Sequence, residues 1–489
     1  MSSVEVAPDF SVGVDVSIID IGTTPYIRKT SSETNLDIEN MSYGIVSSIP
    51  DDNVAIVAEN SYDWLCAWMA LSRAGKTIIL INYKLPAEQI EYCLNDSLCT
   101  VGFVRKEYMH LMPKNFRAIE LGSNDHRVLF NFSPCPMPEF DPSKTNYIMY
   151  TSGTTGNPKG VVTSYKARLL QNKPKIVTEK PNKESVFLHV SPAYHLAGLN
   201  GILMNITGDS WTTAIMVPKF DVESYIKAID EFNVTDLRLV APMMSMILAR
   251  PDLLEKFNVS SVKSVFLTSS YAPEKMQRDI RRFFTNIRDV HNPYGLTETG
   301  AVFGAHPKGL PRPPASAGYP LDSVEVRIVD GVLQVRSPTL LTEYHNKKDL
   351  FDKVMTEDGF FVTGDLFRCN KYGFYFYQGR ADDMFKSGGE KIYPTEIESV
   401  IERHPVVAIS CVVGLPDDIK GHKPYAFVQL KPGQTIDEET LRKYVINNVA
   451  TYQIPRKLWI LDKLPMTQIG KIDKRALAAL AEKLLDSSK

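Results

Sequence analysis

Residues 147–160, YIMYTSGTTGNPKG, constrain this chain more than any other stretch. Tyr147, Ile148, Met149 and Tyr150 read as a strand that runs into a loop of three glycines, four hydroxyls and one lysine. Gly153 and Gly156 carry no Cβ, so backbone N–H groups can converge on one point. Thr151, Ser152, Thr154 and Thr155 add hydroxyl donors, and Lys159 adds a mobile positive charge suited to phosphate. The spacing G-x4-G-K-[ST] fails, because Pro158 stands where a second glycine should be and Gly160 follows the lysine. A solvated turn of the same composition is the competing reading. The unbroken length of the loop and its terminal lysine favour a polyphosphate cradle.

The residues before this loop alternate strand and helix. An apolar run at 54–59 is followed by Asn60-Ser61, a helix cap. Residues 62–74 then place Trp64, Leu65, Trp68, Met69 and Leu71 on one helical face, and Gly75 stops the helix. A buried strand at 77–81, a helix at 86–96 opened by proline, and a strand at 100–104 complete the pattern. Such spacing predicts right-handed crossovers in a parallel sheet. Residues 1–51 read as a partly irregular opening segment. Residues 109–142, with five prolines, read as a long surface connection.

At 489 residues the chain exceeds one domain, and 44% hydrophobic with 23% charged residues is ordinary globular composition. A net charge of −2 gives no reason to expect nucleic acid or an anionic membrane. No window reaches the length of a membrane span, and residues 1–20 lack the basic start of a signal peptide. The six cysteines are scattered without a C-x-x-C pair, which suggests free thiols in a reducing, cytoplasmic setting. The nine histidines are dispersed, and no i,i+4 pair suggests a metal site.

Further motifs follow in order: SPAYHLAG at 191–198, TSSYAP at 268–273, YGLTET at 294–299, TGD at 363–365, GRADD at 379–383, KSGGEKIYP at 386–394 and LPMTQIGK at 464–471. With the phosphate loop, this series resembles the adenylate-forming superfamily of acyl-CoA synthetases, nonribosomal peptide synthetase adenylation domains and luciferases. The resemblance covers roughly residues 54–477. It implies an α/β fold: a large N-terminal domain, 1–381, with doubly wound, mostly parallel sheets and a small β-rich subdomain. A small mobile α+β domain, 382–489, would follow a hinge at Asp382. Residues 220–248 fit helix, strand, turn and helix, with strands at 262–267 and 373–378. In the small domain a helix at 395–403 and strands at 408–413 and 424–430 are expected.

The same resemblance assigns roles. Thr151 to Gly156 and Lys159 would cradle the phosphates of ATP. Tyr294 offers an aromatic face for adenine, Thr297 a donor to the α-phosphate, and Glu298 a hard carboxylate for Mg²⁺. Asp365 would accept both ribose hydroxyls, with Arg380 also in reach. His195, Gly198, Ser270, Tyr271, Ala272 and Gly295 would border the acid. The segment around His195 lacks the F-D-x-S pattern that holds an α-ammonium, so an acid without an α-amino group is favoured. TSSYAP departs from the usual S-G-G-A-P: Tyr271 either shortens the pocket, walls it for a ring, or turns into the core. Gly388 would line a pantetheine tunnel, and Lys471, carried by Gly470, would bridge carboxylate and α-phosphate. Tyr165 replaces a histidine often found after the phosphate loop.

The implied activity is that of an ATP-dependent carboxylate ligase. The acid attacks the α-phosphate of MgATP, pyrophosphate leaves, and a second nucleophile displaces AMP. CoA is the expected acceptor. An amine, or the pantetheine of a carrier protein acting in trans, is the alternative. A luciferase-type oxygenase or a non-catalytic binding protein would be a different class, and the intact Lys159, Glu298 and Lys471 argue against the latter.

Overall fold

The computed structural model describes residues 10–151, 157–171, 184–207, 212–268, 272, 274–305, 313, 316–466 and 472–486. The parallel sheet expected from the first third is present. Strands Thr145–Thr151, Thr77–Leu80, Asn53–Val57, Val101–Val104 and Arg117–Glu120 lie parallel and side by side. Lys159–Ser164 and then Glu343–Tyr344 extend this sheet antiparallel beyond Thr145–Thr151, giving seven strands. Runs such as Val54–Val57 read as continuously apolar because both sheet faces are covered.

Ser61 caps helix Tyr62–Arg73 by accepting from the Trp64 backbone, and Gly75 leaves it at φ +68°. The single apolar face expected there was too narrow. The helix is buried nearly all round, since helix Ser31–Ser48 packs against the side away from the sheet. The opening segment is likewise more regular than expected. It forms strands Ser17–Asp20 and Ile27–Thr30, then the 18-residue helix Ser31–Ser48. Thr30 and Glu33 close a capping box at its start. Within the proline-rich connection, Arg117–Glu120 proves to be an edge strand.

A second seven-stranded sheet runs Asp289–His291, Ser264–Thr268, Asp236–Val240, Ser185–His189, Thr212–Met216, Ser17–Asp20, Ile27–Thr30, parallel except for the last. One face buries Leu188, Leu237, Leu239, Val265 and Leu267 against helices Val222–Glu231, Ala241–Leu248 and Glu274–Phe283. Helix Ala241–Leu248 follows its strand directly, without the expected turn. The third β-layer is antiparallel: four strands within 325–380, beside a three-stranded sheet that starts at Tyr294–Leu296.

From Phe385 onward the chain builds cores of its own on a five-stranded sheet, with helices Pro394–Ile401, Glu438–Ile446 and Lys474–Asp486. Lys275 Nζ reaches across to this unit, donating to the carbonyls of His404 and Val407 at 3.3 Å. The fold is therefore mixed α/β, with a large N-terminal part and a smaller C-terminal part. No described helix is long and apolar enough to cross a membrane.

Candidate active site

The hairpin that carries the phosphate loop pairs Thr151 with Lys159 at its mouth. Ser152, Gly153, Thr154, Thr155 and Gly156 lie outside the described residues. Lys159 Nζ donates to Glu298 Oε1 at 2.9 Å and to the Tyr344 hydroxyl at 2.8 Å. The Tyr344 hydroxyl in turn donates to the same Glu298 oxygen at 2.9 Å, and its ring centroid lies 4.2 Å from Lys159 Nζ. Tyr344 reaches this point because its strand pairs with the strand of Lys159, Tyr344 opposite Val161. Burial, and then the Glu298 charge, push the phenol well above its usual range, so it stays a donor.

Glu298 is placed by its backbone as much as by its side chain. Its carbonyl accepts from Leu341 N at 2.7 Å, and the adjacent Thr299 carbonyl accepts from Thr339 Oγ1 at 2.8 Å. Gly295 is required in the same turn, since a Cβ there would stand 2.2 Å from the Gly300 carbonyl oxygen. Thr297 lies half-buried in the turn, between Tyr294 and Glu298. Among the described residues no group of three or more His, Cys, Asp or Glu could hold a metal alone. The lone carboxylate of Glu298 nevertheless fits Mg²⁺, which is commonly held by one or two carboxylates together with substrate phosphates.

Tyr294, Asp365 and Arg380 come together. The Tyr294 hydroxyl donates to Asp365 Oδ2, and Arg380 Nη1 donates to Asp365 Oδ1 at 3.1 Å and to the Thr363 carbonyl at 3.0 Å. Gly364 permits this at φ +70°, where the Arg380 guanidinium lies against the space a Cβ would take. The Tyr294 ring packs on Phe303, Phe367 and Tyr377. Burial, followed by the Asp365 charge, raises the Tyr294 phenol, so it also stays protonated. A carboxylate has about four acceptor positions, so Asp365 retains capacity for ribose hydroxyls.

The loops expected to border the acid follow the C-terminal ends of parallel strands, where α/β sheets bind ligands. Asn60 pins the first of them: its Nδ2 donates to the Ser191 carbonyl at 2.9 Å, and Ala193 N donates to its Oδ1 at 3.0 Å. Gly198 lets the loop turn, since a Cβ would lie 2.1 Å from the Pro192 carbonyl oxygen. His195 is half-buried at the N-cap of helix Leu196–Ile206, its ring 4.5 Å from that of Tyr194. Asn292 fixes the second loop, accepting from Ala272 N at 2.9 Å and donating to the Leu267 carbonyl at 2.9 Å. Ser270 and Tyr271 lie outside the described residues.

At the junction with the smaller C-terminal part, Asp382 is exposed and Arg380 Nη2 stands 3.8 Å from its carboxylate. The neighbouring Asp383 accepts from Lys474 Nζ at 2.8 Å. Gly388 adopts φ +60° with open space around it. Lys471 and Gly470 lie outside the described residues, bracketed by a bridge between Met466 and Ile472. Tyr165 serves the fold, since its hydroxyl donates to the carbonyls of Ser72 and Lys76 at the end of helix Tyr62–Arg73. Sequence reasoning did not single out Tyr344, Asn292 or Lys474. Each is a lone polar residue outside the quoted motif cores or peripheral to them, and only the fold brings it to the site.

Paired α/β sheets that bring Tyr294, Asp365 and Arg380 beside the Lys159–Glu298 junction have the architecture of an adenylating enzyme. Residues 14–340 match the family of AMP-binding enzymes, and residues 396–471 match the AMP-binding enzyme C-terminal domain. The chain belongs to this family. It is 29% identical over 444 residues to 2-succinylbenzoate–CoA ligase of Bacillus cereus (strain ZK / E33L), covering 88% of this chain and 89% of that protein. Among solved structures, o-succinylbenzoate CoA synthetase from Bacillus subtilis with its acyl-adenylate superposes with TM-score 0.78 at 25% identity, over 95% of both chains. The anthranilate CoA ligase AuaEII with anthranoyl-AMP superposes with TM-score 0.87 at 21% identity, over 99% of this chain and 100% of that one.

Proposed function

We propose that this enzyme activates a non-amino carboxylic acid with ATP and passes the acyl group to CoA. The observation that carries the reading is the convergence of Lys159, Glu298 and Tyr344 one turn from Tyr294, with Asp365 and Arg380 behind it. Tyr294 and Asp365 hold the nucleoside, and Lys159 meets the phosphates as a point charge. Thr297 faces the α-phosphate, and Mg²⁺ at Glu298 would neutralise polyphosphate charge. The acid needs no general base, because a carboxylate is already ionised near pH 7. It attacks the α-phosphorus, the bond to pyrophosphate breaks, and Lys471 bridges the entering carboxylate and the α-phosphate. The CoA thiol then attacks the acyl carbonyl and AMP leaves. Catalysis rests on positioning and electrostatic stabilisation.

The chain divides in this reading into an adenylating part, 1–381, and a mobile part, 382–489, turning about Asp382 between the two steps. Separate cores from Phe385 onward support the division. Gly388 would pass the pantetheine arm, and the cytoplasm is the compartment that supplies ATP and CoA together. Mass spectrometry of reactions with ATP, Mg²⁺, CoA and an acid panel tests the proposal. AMP and an acyl-CoA are expected. Release of ADP, or an amide formed only when an amine replaces CoA, would overturn the acceptor or the chemistry.

A further inference from the structure

His189, Arg238, Phe266 and His291 stand opposite one another on four neighbouring strands of the second sheet. Parallel register sends all four side chains out of the same face, with about 4.8 Å between strands. A basic row in a covered parallel sheet is unexpected, because such strands are normally apolar on both faces. Arg238 is only 8% exposed and His189 only 2%. The Arg238 guanidinium lies 4.0 Å over the Phe266 ring and 5.2 Å from that of Phe187. Arg238 Nε and both ring nitrogens of His189 have no hydrogen-bond partner among the described residues. Asp236, two residues earlier on the strand, offsets part of the charge, but its Oδ2 is engaged by Thr235 Oγ1 at 2.7 Å.

The row lies beside the loops expected to border the acid. His189 ends the strand that leads into the His195 loop. Helix Leu196–Ile206, which that loop starts, covers the row: a Cβ on Gly201 would stand 3.8 Å from His189 Nδ1. On the other side Phe266 shares an apolar cluster with Tyr294. A buried guanidinium without a hydrogen-bonded anion is strongly disfavoured, and an anionic ligand relieves it. Burial lowers Arg238 only to about 10, so it stays cationic. Burial, with the Arg238 charge, lowers His189 to about 3, so its neutral ring offers one N–H donor.

We propose that this row floors the acid pocket, and that the substrate acid carries a second carboxylate, remote from the reacting one, held by Arg238 and His189. The inference rests on the adenylating reading above and specifies its substrate class.

The test pairs succinate, glutarate, adipate and phthalate with their monomethyl esters in acid-dependent pyrophosphate exchange. The wild type should favour at least one diacid over its ester by tenfold or more in kcat/KM. Arg238→Met should cost that diacid roughly 10- to 100-fold, mainly through KM, and leave the ester and the KM for ATP unchanged. Arg238→Lys should recover part of the loss. Esters used as well as every diacid would overturn the proposal, and so would equal losses on both in a folded Arg238→Met. If that variant does not fold, the wild-type preference decides. Calorimetric binding of the same pairs separates the two readings. Diacid binding without any exchange contradicts the ligase reading alone, whereas ester binding as tight as diacid binding contradicts the second carboxylate alone.

Discussion

Lys159 and Glu298, 139 positions apart in sequence, meet at 2.9 Å with the Tyr344 hydroxyl closing the triangle. The junction joins the first sheet to the turn that carries Tyr294, so in the proposed function nucleotide recognition and charge neutralisation share one frame. Lys159→Ala should lose roughly 1.5–3 kcal/mol of ATP-dependent transition-state binding, read as kcat/KM for ATP. Tyr344→Phe keeps the ring over Lys159 and removes only its hydroxyl, so a smaller loss of about 1 kcal/mol is expected. Unchanged ATP kinetics in a folded Lys159→Ala would contradict the phosphate assignment.

Asp365 accepts from both Tyr294 and Arg380 and is expected to accept the ribose hydroxyls as well. Asp365→Asn should raise the KM for ATP and reduce discrimination against 2′-deoxy-ATP. Steady-state kinetics with both nucleotides check this. Discrimination kept intact would remove Asp365 from ribose recognition.

Asn60 ties the His195 loop to the first sheet with two buried hydrogen bonds. Asn60→Ala leaves the Ala193 N–H and the Ser191 carbonyl without that partner, a cost of about 1–3 kcal/mol in stability by urea unfolding. Activity in the folded fraction should show a raised KM for the acid and a nearly unchanged KM for ATP. An equal rise in both would mean that the loop serves the whole site.

Much of this arrangement was legible in the residues alone. The strand ending at Thr151 and the alternation at 54–104 depend on local periodicity; both appear in place, with Lys159 paired opposite Thr151. Tyr294, Asp365 and Arg380 were legible because each sits in a short, specific motif. The strand at Arg117–Glu120 was not, because it is an edge strand with only one residue buried. The helix Ser31–Ser48 has a weak apolar pattern, and its T-x-x-E capping box was the overlooked signal. Tyr344 and the Arg238 row have no local signal at all, since their meaning comes from strand register across distant segments.

Glu402 makes a prediction about pH. Burial raises its carboxyl from 4.5 to about 7, while Ser410 N donates to it at 2.9 Å. Between those values the folded state holds a proton that the unfolded chain has lost, so stability falls as pH rises from about 4.5 to 7. Glu402→Gln keeps an acceptor for Ser410 and removes the titration. Urea unfolding of the variant should show a flatter pH profile, and at pH 8 a gain of up to about 3 kcal/mol over wild type. Parallel profiles for the two proteins would contradict this.

The most direct measurement is exchange of labelled pyrophosphate into ATP in the absence of CoA. An acid attacking the α-phosphate forms the adenylate before any acceptor arrives, so exchange should require the carboxylic acid and Mg²⁺ and should not require CoA. It should also fall sharply in Lys471→Ala. Exchange supported only by α-amino acids, or none without CoA across an acid panel that yields acyl-CoA when CoA is present, would contradict the account.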